Sequence, residues 1–115
     1  MSHKIVIQSG EFEFVPNDSY LINNNLTYSF INALESHLNF FLPPISGLTD
    51  TQKNMSINIF TLKSKKTTLY IFSDKSNKMD NGRQVFAEDT PDSNVIINIK
   101  NGKWSIETEK MMREN

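Results

Sequence analysis

Apolar and polar positions alternate at both ends of this chain. Ile5-Val6-Ile7-Gln8 is followed, after Ser9-Gly10, by Glu11-Phe12-Glu13-Phe14. In the strand period Ile5, Ile7, Phe12 and Phe14 share one face, while Val6, Gln8, Glu11 and Glu13 take the other. Ser-Gly is a permissive two-residue turn, so the pattern predicts a hairpin pairing Ile7 with Phe12 and Ile5 with Phe14. Pro16 ends its second strand, because proline has no N–H to give to a ladder. A second hairpin is predicted over 95–100 and 103–107, where Asn101-Gly102 is the strongest short-range turn signal. It pairs Ile99 with Trp104 and Ile97 with Ile106. The frame common to the two hairpins follows from turn geometry and strand period and requires no duplication.

Between the hairpins the period changes. Phe30, Ile31, Leu34, Leu38 and Phe41 recur at helical spacing and make one apolar stripe opposite Asn32, Glu35, Ser36 and Asn39. That predicts a single α-helix, capped at Asn25 or Thr27 and stopped by Pro43-Pro44. After a loop over 45–54, two strands are predicted over 55–62 and 67–72. There Ile57, Ile59, Leu69 and Ile71 face one way, and Phe60, Leu62, Tyr70 and Phe72 the other. Strands with two apolar faces are covered on both sides. The helix covers one face; the chain's own loops or a partner must cover the second. Asp80-Asn81-Gly82 reads as a turn, and Val85-Phe86-Ala87 as a short strand within 83–88. The expected fold is therefore α+β, one domain over 1–115. Its antiparallel sheet has about five to seven strands with one helix packed on it, in the order ββαββ(β)ββ.

Composition supports a folded chain and narrows its chemistry. Of 115 residues 10% are aromatic, more than disordered segments carry. There are no cysteines, so disulfides, thiolate metal sites and cysteine nucleophiles are excluded. A net charge of −1 gives no overall field favouring nucleic acid, and no stretch is apolar enough to span a bilayer. The first residues have no signal-peptide core, so the expected location is cytoplasmic. Fourteen Asn, twelve Ile and ten Lys are what an A+T-rich coding sequence yields, a bias common in mobile bacterial elements.

No arrangement of residues announces catalysis. His3 and His37 are the only histidines, and no local signature shows a Ser or Thr converging on either of them together with an orienting carboxylate. Glu11 with Glu13, and Glu107 with Glu109, alternate along strands as solvated edges do. Four isolated glycines make neither a phosphate loop nor a dinucleotide fingerprint. The segment from Asp74 to Asp80 superficially suggests a calcium loop, yet it carries lysines and lacks the closing Glu. The expectation is no enzyme, no cofactor and no metal. The aromatic residues Phe30, Phe41, Tyr70, Phe72 and Trp104 are read first as core. A ligand pocket, or an enzyme site, between helix and sheet is the alternative use for them.

Two charge clusters remain. Lys63, Lys65 and Lys66 form a basic turn, which together with Lys75 would serve a nucleic-acid binder only if exposed aromatics shared its face. Glu88, Asp89 and Asp92 form an acidic loop suited to a partner's basic cleft. Short, cysteine-free and rich in Asn and Ile, the whole chain resembles in style the small immunity proteins of bacterial contact-dependent inhibition and polymorphic toxin systems. The resemblance rests on no motif. It implies a protein-binding inhibitor that neutralises one cognate toxin domain, often a nuclease, by covering its active site or an adjoining surface. Glu88, Asp89 and Asp92 would be the partner-binding residues. A phage or plasmid anti-defence inhibitor would share this style, and an uncovered apolar face also admits a homodimer.

Overall fold

A computed structural model of the chain describes residues 3–16, 21–22, 25–34, 36–61, 68–75, 78–89 and 93–110. Among them there is no α-helix. The strands are β1 (His3–Ile7), β2 (Glu11–Glu13), β3 (Leu21–Ile22), β4 (Asn25–Asn32), β5 (Leu38–Phe41), β6 (Ser56–Thr61), β7 (Leu69–Phe72), β8 (Val85–Glu88), β9 (Ser93–Lys100) and β10 (Lys103–Lys110). They build two facing sheets. The larger runs β1-β4-β6-β9-β10, with β3 beside β4; the smaller runs β2-β5-β7-β8. The fold is thus a two-layer β structure. It replaces the expected helix-on-sheet arrangement, and with it any pocket between helix and sheet. None of the described helical segments is long and apolar enough to cross a membrane.

The unit that repeats is an arch. β1 lies in the larger sheet and β2 in the smaller; β4 to β5 and β6 to β7 make the same crossing. Three arches running the same way stack their like strands in parallel: β1 on β4 on β6, and β2 on β5 on β7. The fourth arch, β8 to β9, returns in the opposite sense and pairs antiparallel in both sheets. The sheets are therefore mixed, where an antiparallel sheet was expected.

The predicted helix spans two of these strands, and the reason is arithmetic. Phe30, Leu34 and Leu38 are four apart, a spacing that satisfies both a helical stripe and the even positions of a strand. The structure follows the even positions: Tyr28, Phe30, Asn32, Leu38, Phe40 and Leu42 are buried. Ile31 and Phe41, which belong only to the helical stripe, point outward, and Phe41 is 37% exposed. Tyr28, Phe30 and the β-branched Thr27 and Ile31 suit a pleated surface better than a helix.

The first predicted hairpin is an arch as well. Ile5, Ile7, Phe12 and Phe14 do turn to the core, but across the two layers and not as paired neighbours. A tight hairpin turn needs positive φ at its glycine, and Gly10 is not among the positive-φ residues. Its carbonyl instead accepts the Asn39 N–H at 2.8 Å, and a Cβ there would lie 3.2 Å from the His37 carbonyl oxygen. Gly10 thus lets the first arch seat closely on the second. By contrast Asn101 (φ 54°) and Gly102 (φ 75°) take the left-handed turn, and β9–β10 is the expected hairpin with Ile99 opposite Trp104 and Ile97 opposite Ile106.

The same holds for the strands at 55–62 and 67–72. Ile57, Ile59, Leu69 and Ile71 share the interior as expected, but from opposite sheets, with β6 and β7 unpaired to each other. Val85–Glu88 does form a strand, at the edge of the smaller sheet. Between the layers Phe12, Phe14, Phe30 and Phe40 interlock, with ring centroids 5.1 to 6.0 Å apart. Larger by two strands, β3 and β10, the first sheet overhangs at β10. There buried Met79, from the β7–β8 connection, lies beside Trp104, and the Asp80 N–H donates to the Trp104 carbonyl at 2.9 Å.

Candidate partner-binding face

With inward positions fixed, the outward rows of the smaller sheet follow from register. One row reads Glu13, Phe41, Phe72, Val85 across β2, β5, β7 and β8; the next reads Glu11, Asn39, Tyr70, Ala87. Phe41 and Phe72 stack at 5.1 Å with planes 19° apart, and Tyr70 follows Phe72 at 6.4 Å. Phe41 and Val85 are 37% and 42% exposed. The result is an aromatic strip open to solvent, with two exposed carboxylates along the β2 edge and aliphatic groups along the β8 edge. Of the second apolar face expected from the sequence it carries Tyr70 and Phe72; Phe60 lies in the larger sheet, and Leu62 lies outside the described residues. No described residue covers Phe41 or Val85 fully.

The backbone beneath this face is well held. Leu42 N–H donates to the Phe72 carbonyl at 2.8 Å, Phe14 N–H to the Phe41 carbonyl at 3.0 Å, and Ser73 N–H to the Gln84 carbonyl at 2.9 Å. Hydrogen bonding thus continues past the strand ends. Beyond them the chain forms a groove of about 260 Å³, bounded by Glu13, Val15, Phe41, Pro43 and Asp74. At the opposite end of the strip His37 meets Tyr70 edge to face at 5.8 Å, and its Nδ1 accepts the Thr68 N–H at 3.0 Å. That histidine joins the second arch to the third; no Ser–His–carboxylate set forms around it among the described contacts. Among the described residues no group of three His, Asp or Glu side chains is placed to hold a metal ion.

Of the acidic loop, Glu88 and Asp89 are described, and neither belongs to the two outward rows of the face. Glu88 is half-buried opposite Leu69, in the row that faces the interior, and Asp89 is exposed where β8 leaves for β9. Asp92 lies outside the described residues, as do Lys63, Lys65 and Lys66. Lys75 is exposed. The face brings forward residues given other roles in the sequence: Glu11 and Glu13 as a plain solvated edge, Phe41 as helix core, Val85 as part of a short strand. A consistent strand-period reading of 38–42, 69–72 and 85–88 would have put Phe41, Phe72 and Val85 in one outward set. The chain matches no family model, no curated protein and no solved structure.

Proposed function

We propose that this protein is a protein-binding inhibitor, and that its partner docks on the outward face of the smaller sheet. The observation that carries this reading is the stacked pair of exposed Phe41 and half-buried Phe72, flanked by Glu13 and Val85. Exposed aromatics in a well-ordered surface are the residues that contribute most at interfaces. Four strands at roughly 4.8 Å spacing, about 10 Å long in β2 and about 13 Å in the other three, give a face of about 14 by 13 Å at most. A specific interface takes about 800 Å² from each partner, so this face is the centre of a larger surface. The groove and the exposed Asp89 supply its rim. A partner with a basic, partly apolar surface suits that arrangement, since carboxylates at the rim favour its approach.

Within this class the reading we favour is an immunity protein covering the active site, or a neighbouring surface, of a cognate bacterial toxin domain such as a nuclease. The test is capture from a lysate that includes the product of the adjacent gene, followed by a growth-protection assay with the captured domain. Expected is capture of one toxic domain, protection by the wild-type chain, and loss of both on Phe72→Asp in a variant that still folds. Charge reversal at Glu88, Asp89 and Asp92 tests separately whether the acidic arch extends the surface. Capture and protection that survive Phe72→Asp would contradict the proposed face, and binding without protection would contradict the immunity function.

A further inference from the structure

We infer that the groove at the end of the aromatic strip is an anchor pocket for one arginine side chain of the partner. This deepens the proposed function and rests on its reading of the face. At about 260 Å³ the groove is smaller than the range, about 300 Å³ upward, that holds drug-sized ligands and cofactors. It suits a single long side chain. Its walls divide by chemistry: Val15, Phe41 and Pro43 are apolar, while Glu13 and Asp74 bring carboxylates. A side chain that fits must carry an apolar stem and a cationic head, which restricts the choice to arginine and lysine.

The aromatic wall favours arginine of the two. Phe41 is both a wall of the groove and one ring of the Phe41–Phe72 stack, so a planar guanidinium lying on it extends an existing stack. A guanidinium also offers donors in a fixed fork that matches both oxygens of a carboxylate such as that of Glu13, whereas an ammonium is a hydrated point charge. The site is built in advance. The Phe14 N–H and the Leu42 N–H are both bonded to the neighbouring strands, so β2, β5 and β7 hold the walls in place before any partner arrives. Arginine in such a pocket is a typical anchor of a protein interface.

The test needs no partner. The full-length ¹⁵N-labelled chain is titrated with N-acetyl-arginine methylamide, with the citrulline and lysine analogues as probes of charge and shape. Expected are saturable amide shifts centred on Val15, Phe41, Leu42 and Asp74. The lysine analogue should bind at least threefold more weakly and the uncharged citrulline analogue at least tenfold. Glu13→Gln should weaken the arginine probe about fivefold while leaving the remainder of the spectrum in place, which shows that the variant folds. Equal response to citrulline, a stronger response to lysine, or shifts lying elsewhere would overturn the inference. So would the absence of saturable shifts. Such a failure leaves the aromatic face untouched, because the latter is judged by Phe72→Asp against the captured domain.

Discussion

Phe40 and Phe41 are adjacent, identical in chemistry, and opposite in consequence. As part of β5, Phe40 is fully buried and meets Phe12, Phe14 and Phe30 at 5.4, 6.0 and 5.4 Å. Phe41 is 37% exposed and meets Phe72. Truncating a core Phe to Ala removes transfer free energy and leaves a cavity, at a cost of about 3–5 kcal/mol. Each aromatic pair adds about 0.5–1.5 kcal/mol beyond area, and with three such contacts Phe40→Ala is placed above the lower end of the truncation range, at about 4 kcal/mol. Phe41→Ala loses one pair and part of its burial, about 1 kcal/mol. A chain of this length has a total stability of roughly 6–17 kcal/mol, so the first variant sacrifices a large share of it and the second little. In urea the gap of about 3 kcal/mol should separate the midpoints by about 1 M or more. A helix over 30–41 would place Phe41 in the stripe and Phe40 off it, reversing the order. Equal or reversed midpoints would refute the strand assignment and with it the arch.

The inward rung at the ends of β4, β6 and β9 carries Asn32, Thr61 and Ser93, all buried, and the Thr61 and Ser93 hydroxyls lack a hydrogen-bond partner among the described residues. Thr61→Val and Ser93→Ala should each leave stability unchanged or raise it by up to about 1 kcal/mol, read by thermal melting; a loss beyond that would mean the hydroxyls are satisfied in solution. Asn32→Ala should instead destabilise, since its Oδ1 accepts the Leu34 N–H at 3.2 Å. At the turns, Gly102→Ala should cost about 1 kcal/mol or more because its φ is 75°. Gly47→Ala, with open space around it and no positive φ, should be neutral to slightly stabilising, so equal effects would contradict the turn assignment.

What was legible in the sequence was which side chains go inward; what was hidden was which strands pair. Ile5, Ile7, Phe12, Phe14, Ile57, Ile59, Leu69 and Ile71 were grouped correctly by the two-residue period, because parity survives whether a strand folds back as a hairpin or crosses as an arch. Pairing is decided at the corner. Asn101-Gly102 has residues that accept positive φ at both central positions, and its hairpin kept the expected register. Ser9-Gly10 resembles it in letters, but Ser9 Oγ binds locally to the Glu11 N–H and carbonyl, and Gly10 packs against a loop from the next arch. That contact spans residues far apart in sequence, so no local signal reports it. The helix arose from the coincidence of four-residue spacing with even positions at 30, 34 and 38; the buried Tyr28 and Phe40, both off the helical stripe, were the contrary signs. The candidate face was hidden by the same error, since a helix consumed Phe41 and left Phe72 without its stacking partner.

The most direct measurement of the central claim is calorimetric titration of the captured partner domain with three chains: wild type, Phe72→Asp, and Phe60→Asp. Phe72 lies on the outward face of the smaller sheet, and Phe60 lies half-buried on the outward side of the larger one, paired with Ile31 and Asn94. Both variants introduce the same charge at a half-buried aromatic, so a general loss of folding would strike the two alike and show in their melting curves. The account predicts that Phe72→Asp weakens binding at least 100-fold while Phe60→Asp stays within about threefold of wild type, as a buried interface charge without a partner requires. Undiminished binding by Phe72→Asp, or loss confined to Phe60→Asp, would contradict it.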